Sequence, residues 1–368
     1  MTEWFRITNE GNVPSPALLL YPDRIEENLR RMITLAGGAE RLRPHVKTHK
    51  LPQVIALKLR NGITKFKTAT IAEAEMTAAS GGRDVLLAYQ PVGPNINRFI
   101  ELVKLFPQTH FTGLVDNLGT VGDLSGAAKT AGVTLDFYLD LNVGMNRTGI
   151  APGDGAADVY RALATLPGLR AAGLHAYDGH LHNKDHNALA NAAKYTFQSV
   201  TTLADRLRAD GLPVPNIIAS GTPTFPLLAK HPGVEVGAGT TVLWDFGQEE
   251  TSPDLDFLNA AILLTRVISK PSSDRLCLDL GHKAVASEMP HPRVKLLGLE
   301  DASFVTHSEE HLVVQTPRAS EFQVGAVFYG IPRHVCPTVA LHSEVWAVRN
   351  GNAVERWEVT ARRRRITM

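Results

Sequence analysis

From about residue 17 to 240 the chain alternates between two patterns. Short apolar runs of β-branched and aromatic character are followed by longer stretches of Ala, Leu, Glu, Lys and Arg with helical spacing of their apolar positions. An opening strand at 17–20 and a helix at 23–36 precede eight further apolar runs. These lie near 41–46, 65–68, 85–88, 110–115, 135–141, 171–176, 216–219 and 234–238, most of them separated by a helix-length segment. Eight β–α units in succession predict a closed parallel barrel, a (β/α)8 TIM barrel. An open doubly wound sheet would carry a GxGxxG after its first strands, and none is present.

Beyond about residue 250 the pattern changes to short strand-like runs at 261–269, 275–279, 311–315, 326–329, 344–348 and 353–359. Turn signals such as Lys270-Pro271 and Asn350-Gly351-Asn352 divide them. The expected organisation is a barrel over 17–250 and an all-β domain over 251–368, joined by residues 1–16 and able to recruit 13–20 as a strand.

With 368 residues, the chain has room for a barrel and an appended domain. Hydrophobic residues at 44% and charged residues at 20% are those of a folded globular protein, which excludes disordered and fibrous classes. A net charge of +1 offers no basic field for nucleic acid. The Arg362-Arg363-Arg364-Arg365 run stands alone and reads as a solvated tail. Two cysteines without a CxxC pair point to a reducing cytoplasm. No apolar stretch approaches the length of a membrane span, and the first twelve residues do not form a signal peptide.

Five segments carry candidate chemistry. In Arg43-Pro44-His45-Val46-Lys47-Thr48-His49-Lys50, an extended backbone would put Arg43, His45, Lys47 and His49 on one face. If that face is the barrel interior, burial and like charge lower a lysine pKa, and a neutral lysine is a Schiff-base nucleophile. A solvated basic strand is the plain alternative. The turns Ser220-Gly221-Thr222-Pro223-Thr224 and Gly237-Ala238-Gly239-Thr240-Thr241 follow the last two barrel strands, where barrels frequently bind phosphate. After the 135–141 strand come Asp140, Asn142, Gly144, Arg147 and Gly149; Arg147 could face an anion, or simply pair with Asp140. His175, Tyr177, His180, His182 and His186 crowd one stretch. Stacking or hydrogen bonding suits His175 and Tyr177, while His180, His182 and His186 stay unassigned. Finally, His334-Val335-Cys336 read as a strand puts imidazole and thiolate on one face, a zinc-ligand pair that leaves positions open for substrate. A buried cysteine beside a histidine is the alternative there.

The segment Arg-Pro-His-Val-Lys-Thr-His-Lys resembles the pyridoxal-phosphate lysine motif of the D-threonine aldolase and D-serine dehydratase family, whose barrel is of the alanine racemase type. The resemblance continues, in the family's order, through 140–149, 175–180, 221–224, 308–311 and 334–338. It implies that Lys47 carries pyridoxal 5'-phosphate, with His45, Arg147, His175 and Tyr177 around it. Gly221, Thr222, Gly239 and Thr240 would hold the phosphate, and His334 and Cys336 a divalent metal (zinc foremost, manganese or magnesium otherwise). It also implies a homodimer acting on a small D-amino acid. The family's D-threonine aldolases have aspartate where this chain has Cys336, and its zinc-dependent dehydratases have cysteine. Its usual glycine-turn tyrosine is Thr241 here. The expected activity is a lyase acting on D-3-hydroxy amino acids by retro-aldol cleavage or dehydration. The rivals are an amino-acid racemase, for which Tyr329 is available as second acid/base, and a non-catalytic cofactor carrier.

Overall fold

The computed structural model describes residues 3–367, so Met1, Thr2 and Met368 of the expected stretches 1–16 and 251–368 lie outside the described residues. The chain divides into two compact units. One takes Arg30–Lys47, Pro52–Gly239 and the residues from Arg363 on; the other takes the residues up to Leu29, Thr48–Leu51 and Thr240–Arg362.

In the second of these units, β1 (Ala17–Leu20) pairs antiparallel with β9 (Ala261–Ser272) and parallel with β15 (Glu344–Arg349), and so belongs to the β unit's sheet. The barrel unit holds β2 (Lys65–Thr68), β3 (Asp84–Leu87), β4 (His110–Val115), β5 (Leu135–Leu141), β6 (Leu169–Ala176), β7 (Asn216–Ala219) and β8 (Val234–Val236). All seven are parallel and lie in chain order. Every residue of β5 is buried, as in a parallel sheet covered on both faces.

The expected strand at 41–46 is reduced to two bridges, Leu42 to Val236 and His45 to Lys67, which link both edges of the seven-stranded sheet. Pro44 has no N–H to give to a ladder, and short 3-10 turns at Ala39–Arg41 and Val46–Thr48 flank it. At the strands' N-terminal end the buried Arg43 guanidinium pairs with Asp84 (2.6 Å) and Glu235 (2.7 Å), and Lys65 joins Glu235. Direct carboxylate partners satisfy that buried cation, and the opposite, C-terminal end of the strands is left for chemistry.

The β unit forms a nine-stranded sheet with β10 (Arg275–Leu278), β11 (Val294–Leu297), β12 (Ser303–His307), β13 (Leu312–Gln315), β14 (Val327–Pro332) and β16 (Asn352–Glu358). Its core joins Phe5, Ile7 and Leu19 to Ile262, Leu264 and Tyr329. The segment at 334–336 is not a strand: Val335–Leu341 is a helix with His334 at its N-cap. Nor is the arginine-rich end wholly solvated. The Arg364 carbonyl accepts from Arg98, and Thr367 donates to the buried Glu75.

Candidate active site

A cavity at the C-terminal ends of the barrel strands is lined by His45, Lys47, Lys67, Asp140, Arg147, His175 and Tyr177. The bridge at His45 delivers that residue to the cavity, and the 3-10 turn that follows brings Lys47 beside it; the Lys47 N–H donates to His45 Nδ1 (3.3 Å). The expected common face therefore breaks up. Arg43 is committed to the carboxylates at the other end of the strands, and His49 accepts from the N–H of Leu51 in the β unit. His45 and Lys47 alone of the four line the cavity.

The ends of β5 and β6 supply a buried chain of polar groups. The Asp140 carboxylate accepts from His175 Nδ1 (2.7 Å), and His175 Nε2 lies 3.1 Å from Lys67 Nζ. Thr148 and Gln90 also donate to Asp140, each at 2.9 Å. Burial raises the Asp140 pKa, but its hydrogen bonds and the His175 ring outweigh that and hold it below the usual carboxylate range. Burial, then the Lys67 charge, push His175 down, so its ring stays neutral. Arg147 does not pair with Asp140 in this network; its guanidinium lies 4.9 Å from the Tyr177 ring centre.

Lys67 is the residue that sequence reading missed. Burial first, and then the like charge of Lys47, bring its pKa down to about 7. Burial and like charge, the conditions that lower the pKa of a lysine facing a barrel interior, thus act on Lys67. Strand alternation was the usable signal: Lys67 is the inward-facing residue nearest the end of β2 that carries an ionisable group.

The two glycine turns stand side by side, Gly237 donating its N–H to Ser220 Oγ (3.2 Å). Gly221 donates to Asp178 Oδ1 (2.5 Å) and Thr224 Oγ1, so its amide already has carboxylate and hydroxyl partners. Thr222 and Gly239 belong to the barrel unit, whereas Thr240 is counted with the β unit, its hydroxyl 3.7 Å from Cys336 Sγ. His180 packs on Gly144, where a Cβ would stand 2.6 Å from its Nε2. His182 is exposed, and His186 opens the helix His186–Ala209 behind its Asp185 cap.

In the β unit, His334 and Cys336 are brought together by a helix start instead of a strand pleat. Val335 N–H donates to the buried Asp245 (2.8 Å), which also caps the helix Phe246–Thr251. Thr338 Oγ1 donates to the His334 carbonyl (2.8 Å). His334 Nδ1 meets Glu288 Oε1 at 2.5 Å, and Cys336 Sγ lies 3.2 Å from Thr48 Oγ1. Burial lowers the His334 pKa, but hydrogen bonding to Cys336 and Glu288 prevails and raises it to about 9. Among the described residues no group of three His, Cys, Asp or Glu is placed to hold a metal ion. The donor chemistry here, one imidazole oriented by a carboxylate and one thiol, fits a cation held by two protein ligands with its other positions open.

Tyr329 is not the accessible residue that a racemase needs. It is buried in the β core, donating its hydroxyl proton to Glu10 (2.9 Å) and accepting from Ile7 N–H (3.2 Å).

Two family models match the chain: the alanine racemase N-terminal domain over residues 21–243, and a putative serine dehydratase domain over 260–348. A D-threonine aldolase from Arthrobacter sp. is 30% identical over 358 residues, covering 96% of this chain and 93% of that protein. The chain belongs to the D-threonine aldolase and D-serine dehydratase family of pyridoxal-phosphate lyases. A second member of this family, the 3-hydroxy-D-aspartate aldolase of Paracoccus denitrificans (strain Pd 1222), is 28% identical over 370 residues, 96% of this chain and 93% of that one. The crystal structure of D-threonine aldolase from Filomicrobium marinum superposes with a TM-score of 0.85 at 29% identity, covering 95% of both chains. The family's alanine-racemase-like barrel and separate antiparallel β domain are the architecture described above.

Proposed function

We propose that this protein is a pyridoxal-phosphate- and divalent-metal-dependent lyase that cleaves or dehydrates D-3-hydroxy amino acids. The observation that carries the reading is the convergence of Lys47, Arg147, His175 and Tyr177 on one cavity at the C-terminal ends of the barrel strands. That is where barrel enzymes keep their chemistry. Lys47 would hold the cofactor through its side-chain amine, and His45 accepts from the Lys47 backbone N–H. Arg147 and Tyr177 would contact the cofactor's ring, and the turns at Gly221-Thr222 and Gly239-Thr240 would hold its phosphate, the Gly221 N–H exchanging its present Asp178 and Thr224 partners for it. Pyridoxal phosphate, when bound, supplies an acceptor for the electrons released at the substrate's α-carbon. Asp140 fixes the tautomer of His175 by taking its Nδ1–H, so the ring presents Nε2 to the cavity.

His334 and Cys336 would hold the metal, with Glu288 orienting the imidazole. A cation there supplies Lewis acidity toward the substrate 3-hydroxyl. Zinc suits the thiolate better than manganese or magnesium. Both cysteines are free thiols, in keeping with a reducing cytoplasm, and among the described residues no helix is long and apolar enough to cross a membrane. We read the working form as a homodimer, on family resemblance.

Incubation of the purified protein with pyridoxal phosphate, zinc and D-threonine tests the activity. Glycine with acetaldehyde marks cleavage, and 2-oxobutyrate with ammonia marks dehydration through the Cys336 site. Turnover that persists unchanged after chelation, or conversion of D-threonine to L-allo-threonine by inversion at Cα, overturns the lyase reading.

A further inference from the structure

The proposed lyase uses Lys47 and leaves Lys67, in the same cavity, without a role. Lys67 is 3% exposed, and its immediate partner is an imidazole, not a carboxylate. Arg43 on the same barrel shows the structural solution for a buried cation, two direct carboxylate contacts. Lys67 has instead His175 Nε2 at 3.1 Å and reaches Asp140 only through that ring.

Its charged surroundings are mixed. From the bridging segment come Lys47 and Arg43, both repelling its charge, with His45 on the cavity wall. Asp140 on β5 and Asp178 after β6 attract it, and the Tyr177 ring centre lies 5.7 Å from Nζ. Arg147, near Tyr177, acts on His175 with the same sign as Lys67. β3 and β4 bring only Ala88 and Leu114 to the wall. At the head of the β8 turn, a Cβ on Gly237 would stand 3.1 Å from Nζ, so this glycine leaves room for the amine.

We propose that Lys67, backed by His175 and Asp140, is a second acid–base lysine of the reaction cavity. In retro-aldol cleavage one proton leaves the substrate 3-hydroxyl and one arrives at Cα while the Cα–Cβ bond breaks, its electron pair passing to the Cα side. A single amine that takes the first proton and returns it to Cα balances both events. Neutral Lys67 accepts the proton, and the ammonium so formed donates to His175 Nε2, whose Nδ1–H is held by Asp140. Burial and Lys47 place this exchange near neutrality, where both forms of the amine are populated.

The catalytic role rests on the lyase reading, but the proton coupling does not, so it is tested first on the cofactor-free protein. With histidine labelled at 13Cε1, the His175 resonance is followed between about pH 6 and pH 9 in wild type, Lys67→Met and Lys67→Arg. The expected result is a titration of the His175 signal with a midpoint near 7 in wild type, lost in both variants. A His175 signal that ignores pH in this range, or that titrates identically in a folded Lys67 variant, overturns the coupling. On the loaded enzyme, Lys67→Arg keeps the charge without the titration. It should still accept the cofactor at Lys47, yet lose the neutral-pH limb of kcat/KM for D-threonine and about 10²-fold or more in turnover. An unchanged pH profile in that variant sinks the catalytic role. Loss of the cofactor from Lys47 would count against the lyase assignment instead.

Discussion

A single carboxylate decides how the cavity's histidine behaves. Asp140 takes the Nδ1–H of His175 and leaves Nε2 as an acceptor toward Lys67. Replacing it by Asn offers an amide donor or acceptor and removes the preference for that tautomer. Asp140→Asn is expected to keep the fold and lower turnover by about 10²–10⁴-fold, measured as kcat at saturating D-threonine. Lys67 also imprints a pH dependence on stability. Its folded pKa, about 7, lies below the ordinary lysine value, so the unfolded chain binds more protons between those two values. Stability from this group is lowest below about 7 and recovers as pH rises toward about 10.4. Lys67→Met should therefore melt at a higher temperature than wild type near pH 7, with the gap narrowing toward pH 10 in calorimetry. The sequence displayed the lysine-rich segment around Lys47 plainly, yet hid Lys67. In Lys65-Phe66-Lys67 alternation puts both lysines on the face opposite Phe66, but nothing local to the sequence says which face is the barrel interior.

At the scale of elements, seven of the eight expected barrel runs are strands, because buried parallel strands announce themselves as short apolar runs. The eighth was legible as a stave but not as an irregular one, since Pro44 and the turns around it break the ladder without breaking the apolar pattern. β11 and β12 were missed for different reasons. β11 is a four-residue run, and β12 is largely exposed and lacks alternation. His334-Val335-Cys336 also misled, because an i, i+2 pair suits a strand face as well as a helix start. What makes it a helix start is Asp245, ninety positions away and invisible to local pattern. Asp245→Ala removes the acceptor shared by Val335 and Gln248. It should cost about 1–2 kcal/mol in denaturant unfolding and weaken zinc binding in a chelator competition. Unaltered zinc affinity in that variant would place the metal away from His334 and Cys336.

For the molecule as a whole, the two-part architecture was readable from the change of pattern near residue 250, and so was the recruitment of the 13–20 stretch to the β unit, but the packing of the C-terminal end was not. β1 lies between β9 and β15 in the middle of the β unit's sheet, and Phe5 and Ile7 sit in that unit's core. Deleting residues 1–20 removes an interior strand, and the product is expected to be insoluble or open to limited proteolysis. The opposite end is tied by Thr367 to Glu75 within the barrel unit, so deleting 363–368 should lower the melting temperature measurably while leaving net fold content unchanged by circular dichroism. The C-terminal end did not betray its packing in sequence, since its partner Glu75 lies nearly three hundred residues away.

The central claim is that Lys47 is the cofactor lysine of a barrel cavity that holds two lysines. Borohydride reduction of the protein loaded with pyridoxal phosphate, followed by peptide mapping, tests it most directly. A pyridoxyl group on the peptide containing Lys47, absent from Lys47→Ala and retained in Lys67→Arg, is the predicted result. A pyridoxyl group on Lys67 in the wild-type protein, or equal labelling of Lys47→Ala, would contradict it.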